Sequence, residues 1–106
     1  MNPILVVLCT CPDDSVAKKL AGGLVEQRLA ACVNVLPGIR SIYRWQGRVQ
    51  DDGEVLMVIK SSQETYAALE CWLSEQHPYD LPEIIALPVE RGLQGYLEWV
   101  AEETTR

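Results

Sequence analysis

Cys9-Thr10-Cys11 puts two thiols on the same side of any strand that carries them, a spacing able to grip a soft metal ion. Cys32 is a third thiol to weigh with them. In the fold inferred below, however, Cys9 and Cys11 lie at the end of the sheet opposite Cys32, and the pair reads first as small apolar core or rim residues. His77 is the one histidine, so no two-histidine metal motif exists, and without a C-x-x-C pair a structural zinc site is not expected. At a helix end His77 suits the negative dipole terminus; its functional alternative is a ligand or hydrogen-bond donor in a cleft with Tyr79 and Glu83. Composition allows a thiol–imidazole or hydroxyl–imidazole nucleophile pair, but no local signature supports one. Gly22-Gly23 lacks the flanking glycines of a phosphate loop. Tyr43 and Trp45, large apolar groups in a polar stretch, mark an interface more readily than a ligand platform. Lys60, closing an apolar run, reads as a snorkelling strand end before a site residue. No set of residues reads as catalytic machinery.

These residues need elements to hold them. Residues 4–10 are an apolar run of the kind buried on both faces. Cys11-Pro12 breaks it, and Asp13, Asp14 and Ser15 suit a helix start. Val16, Leu20, Leu24 and Ala31, with Ala17 and Ala21, predict a helix of about 15 residues. Gly22-Gly23 within it costs roughly 1 kcal/mol per glycine, acceptable if the helix packs closely on the sheet there. A second strand begins at Cys32, is interrupted at Pro37-Gly38 and resumes at Ile39. Gln46-Gly47 and Asp51-Asp52-Gly53 compete as the following turn. Val55 to Ile59 is a buried strand run, and Ser61 to Glu64 reads as a capping box. Tyr66, Leu69, Trp72 and Leu73 continue at helical spacing until Pro78. Residues 83–89 predict a fourth strand, and Leu93, Tyr96, Leu97 and Val100 a short last helix. The order βαββαβα, with right-handed crossovers, predicts an α+β, ferredoxin-like βαββαβ sandwich with an extra C-terminal helix over residues 1–106, as one domain. Helices on one face leave the other face of the sheet to be covered.

Composition narrows the function. The 106 residues carry 9 Lys plus Arg against 15 Asp plus Glu, a net charge of −6, which repels phosphate backbones, so no nucleic acid is expected. The N-terminal apolar run is too short for a signal core or a membrane span. The four cysteines are then expected to be reduced thiols of a cytoplasmic protein with no membrane partner.

Five segments in order, Ala30-Ala31-Cys32-Val33-Asn34, Tyr43-Arg44-Trp45-Gln46-Gly47, Glu54 to Lys60, His77-Pro78-Tyr79-Asp80-Leu81-Pro82-Glu83 and Tyr96-Leu97-Glu98-Trp99, are similar to the pattern of the CutA divalent-cation-tolerance family. Cys71 is not matched to that pattern. The resemblance implies a tight homotrimer built like the PII signalling proteins, and the Gln46-Gly47 turn. It also implies a part in tolerance of divalent metal ions with copper(II) binding, no required cofactor and no reaction. Within the matched segments, Cys32 and His77 are the thiol and imidazole candidates for copper(II). A sensor would instead hold a small molecule in inter-subunit clefts lined by Tyr43, Trp45, Lys60, His77, Tyr79 and Glu83. A trimeric scaffold would hold nothing.

Overall fold

The computed structural model describes residues 3–105. Its elements run β1 (Ile4–Cys11), α1 (Asp14–Glu26), β2 (Cys32–Trp45), β3 (Arg48–Ser62), α2 (Tyr66–Gln76), β4 (Ile84–Pro88) and α3 (Gln94–Glu103). The strands form one sheet in the order β2-β3-β1-β4, antiparallel at every contact, which is the ferredoxin-like arrangement.

Strand alternation decides what each sheet face carries. Val7, Cys9, Met57 and Ile59 point to one face and pack with Leu20 and Leu24 of α1 and Leu69 and Leu73 of α2. Val6, Leu8, Leu56, Val58, Ile85 and Leu87 point to the other, where Ile85 and Leu87 remain 50% exposed. β1 is thus buried fully on one face only. α3 packs at the margin, with Val100 against Ile4 and Ala31.

Several local readings change in the structure. Asp13 caps α1 by accepting from the Val16 N–H at 2.9 Å, but the helix stops at Glu26. The chain then turns through Arg28 at φ 60°, so Ala31 belongs to the α3 cluster instead of the α1 stripe. The Ser61–Glu64 capping box does not form. Ser61 and Ser62 are still paired with Leu5 and Ile4 in the ladder. Their hydroxyls serve tertiary contacts: Ser61 Oγ donates to Leu29 O at 2.7 Å, and Ser62 Oγ accepts from Thr104 Oγ1 at 3.0 Å. Thr65 becomes the N-cap of α2.

Of the glycine pair in α1, Gly23 makes room for α2 rather than for the sheet. A Cβ on Gly23 would lie 2.5 Å from Trp72 Cη2, whereas one on Gly22 would meet nothing within 4 Å. Gly22→Ala should therefore stabilise the fold by about 1 kcal/mol through helix propensity alone. Gly23→Ala gains the same term but must displace the indole, an overpacking cost of about 1–3 kcal/mol. Thermal melts should move in opposite directions; a rise for both would mean that Trp72 yields freely.

β2 and β3 outrun the rest of the sheet. β1 reaches β3 only as far as Cys11↔Val55, while β2–β3 pairing continues from Ile39↔Glu54 to Trp45↔Arg48. The Leu36–Ile39 bulge, with Gly38 at φ 78°, bends the arm's root. Its tip is the Gln46-Gly47 turn, both residues at positive φ (50° and 79°) as a two-residue type I′ hairpin requires. The arm gives the molecule its 43 Å length against 25 and 22 Å.

Candidate functional site

Two groupings of polar and reactive side chains emerge near the end of β1. The first is an open cleft of about 670 Å³ between the base of the arm and the 79–83 loop. Tyr43, Trp45, Tyr79 and Glu83 line it, together with Thr10, Arg40, Glu54 and Asp80. Glu54 is 9% exposed, and its carboxylate accepts from Tyr79 Oη at 2.7 Å. Burial first, and then this hydrogen bond, push the Tyr79 phenol upward. Tyr43 Oη donates to Asp52 at 2.6 Å. Arg40 is drawn towards Asp51 at 2.8 Å, which leaves the cleft wall acidic.

The second grouping is Cys9, Cys11 and His77. All three are buried, with a ligand atom from each within 4.8 Å of the others. Strand alternation puts both sulfurs on the core face, and the chain leaving α2 carries His77 over them. Its ring is turned to β1 rather than to the end of α2: Nε2 lies 2.8 Å from Thr10 O, while Nδ1 accepts the Tyr79 N–H at 3.1 Å. Because Nδ1 accepts, the proton sits on Nε2 and donates to the carbonyl. The tilted Tyr79 ring packs beside it at 4.8 Å between centroids. Interaction with the Cys11 thiol, then burial, raises the Cys9 thiol, and the same interaction lowers Cys11; Cys9 Sγ itself is directed to Thr10 O at 3.8 Å.

The remaining candidates fall elsewhere. Lys60 and Cys32 face each other on the second sheet face, in one row with Val6. Lys60 Nζ donates to Asn34 Oδ1. Burial and the neighbouring Cys32 thiol raise the Tyr96 hydroxyl. In the ladder, Thr10, which His77 touches, is level with Leu56 and Leu36, four residues from Cys32. That is about 13 Å along the strand, far beyond metal–ligand bonds of about 2.0–2.3 Å. Cys32 and His77 of one chain therefore do not share an ion. Glu54, not among the site residues read from the sequence, had one signal: a carboxylate set directly before a buried apolar run.

The sheet order and acidic cleft define the class as a ferredoxin-like α+β domain with a side-chain site at the β1 terminus. Residues 5–103 match the family described as CutA1 divalent ion tolerance protein. The divalent-cation tolerance protein CutA of Thermus thermophilus is 48% identical over 93% of this chain and 96% of its own, and that of Pectobacterium atrosepticum 51% over 91% and 87%. A solved structure of the Thermus thermophilus protein superposes with a TM-score of 0.94, at 47% identity, covering 96% of this chain and 99% of that one. The chain belongs to the CutA1 divalent-ion tolerance family.

Proposed function

We propose that this chain acts in tolerance of divalent metal ions as a homotrimeric, non-catalytic protein of the cytoplasm that binds copper(II). The observation that carries the metal reading is the buried Cys9, Cys11 and His77 cluster, whose donors suit a soft or borderline cation. Four free cysteines suit a reducing compartment. Among the described residues no helix is long and apolar enough to cross a membrane. Assembly is supported by the half-exposed second sheet face and by an arm with no third strand.

Copper(II) must draw the imidazole off the Thr10 carbonyl, so its affinity is modest. Calorimetric titration should give binding that His77→Ala weakens and Cys32→Ser leaves unchanged. Parental affinity in the doubly substituted chain would remove both residues as donors. The cleft of about 670 Å³ favours a second reading, a sensor for a small molecule bound against Tyr43, Trp45, Tyr79 and Glu83. Titration with organic ligands in the absence of metal separates the two.

A further inference from the structure

We infer that Cys9 and Cys11 form a two-coordinate site for a soft monovalent cation of the copper(I) class, with His77 holding the site from outside the coordination shell. The inference rests on the metal-tolerance reading only in supposing that a metal ion reaches the chain, and it adds a monovalent ion beside the copper(II) proposed above.

The two sulfurs are carried by one strand at positions i and i+2, so they stay on one face whatever the neighbouring loops do. They lie within 4.8 Å of each other. A metal–thiolate bond is about 2.3 Å long, so a cation in line between two sulfurs needs them about 4.6 Å apart. A separation within 4.8 Å brings both sulfurs into reach of one ion between them. The imidazole beside them is committed on both nitrogens, Nε2 to Thr10 O and Nδ1 to the Tyr79 N–H. The sulfurs have only weak thiol contacts to give up, such as that of Cys9 Sγ to Thr10 O at 3.8 Å.

That donor count selects the ion. Zinc asks for four ligands, and copper(II) favours tetragonal nitrogen and oxygen sites, whereas paired thiolates suit copper(I). Binding releases both thiol protons to solvent and forms two metal–sulfur bonds, leaving one net negative charge on the complex. Glu54, 9% exposed, lies one residue from Val55, the β3 partner of Cys11, so negative charge already stands near the pair. A cation between the sulfurs offsets that charge. The adjacent Nε2–H is a hydrogen-bond donor held next to the pair, and it fixes the loop that seals the site.

Silver(I), a redox-inert probe of the same class, should bind the reduced chain at one ion per chain by native mass spectrometry. Competition with a soluble copper(I) chelator should give the same site for copper(I). Loss of a direct sulfur should cost more than the 10–100-fold typical of an outer partner, so Cys9→Ser and Cys11→Ser should each weaken binding on the order of a hundredfold or more. Cys32→Ser and Cys71→Ser should leave it unchanged, and His77→Gln should weaken it by no more than about tenfold. Because the two serine variants alter buried positions, copper K-edge absorption on the parent chain supplies an independent measurement. Two sulfur neighbours without a nitrogen shell are expected. A nitrogen in the shell, or silver(I) binding that survives Cys11→Ser, overturns the inference. Copper(II) binding without silver(I) binding overturns it while leaving the metal-tolerance reading intact; binding of neither overturns both.

Discussion

Ile85→Asp should leave the chain folded but reduce the light-scattering mass of the proposed homotrimer to one third. Ile85 lies on β4 beside Leu8, on the sheet face that α1 and α2 do not cover. Ile85 and Leu87 are each 50% exposed and Leu36 is 42% exposed, so the patch is apolar and only half covered. Fully burying such a side chain is worth about 1.5–3 kcal/mol, so the exposed halves of these three hold about 2–4 kcal/mol per subunit available to an assembly. An aspartate in the buried patch removes one of its two largest contributors and desolvates a carboxylate, at a penalty of several kcal/mol per ion. In an isolated protomer the same side chain faces water, and folding should be little affected. A parent chain that is monomeric at micromolar concentration would sink the assembly itself.

Trp45→Ala should lower the thermal midpoint of the assembled protein more than any single charge substitution on its surface. The pairs from Ile39↔Glu54 to Trp45↔Arg48 have no third strand, and a two-stranded hairpin alone in water is marginal. Ile42, Val49, Tyr43 and Trp45 are nevertheless 68, 64, 42 and 43% exposed. A polar hairpin would not carry such side chains, so a neighbouring subunit is the natural cover. Trp45 is already more than half buried in its own chain. Covering the remaining 43% of a side chain that buries roughly 150–250 Å² gives about 1.6–2.7 kcal/mol per subunit, or about 5–8 kcal/mol for three. An exposed ion pair such as Arg40–Asp51 is worth about 0–1 kcal/mol. Added salt should accordingly leave the assembly nearly unchanged. Parental stability in Trp45→Ala would assign the indole to the cleft that it lines and strengthen the sensor reading.

Hydrophobic period and breakers made the element order legible from sequence alone, because alternation and the 3.6-residue repeat are local consequences of backbone geometry. Asp13 as a helix cap and Gln46-Gly47 as a turn candidate belong to the same local chemistry. The Ser61–Glu64 box was misleading because the β1–β3 ladder claims both serines, and long-range pairing overrides a local capping preference. Of the site, sequence offered Tyr43, Trp45, Tyr79 and Glu83, which the structure gathers around one cleft. It could not offer the partnership of His77 with Cys9 and Cys11. His77 lies 66 positions after Cys11 in the chain, and only the docking of α2 on the sheet sets that imidazole over the two thiols. Chain order decided which residues were available to chemistry here; the packing of α2 into the core beneath the sheet, which brings His77 at its end to Thr10, decided which of them meet.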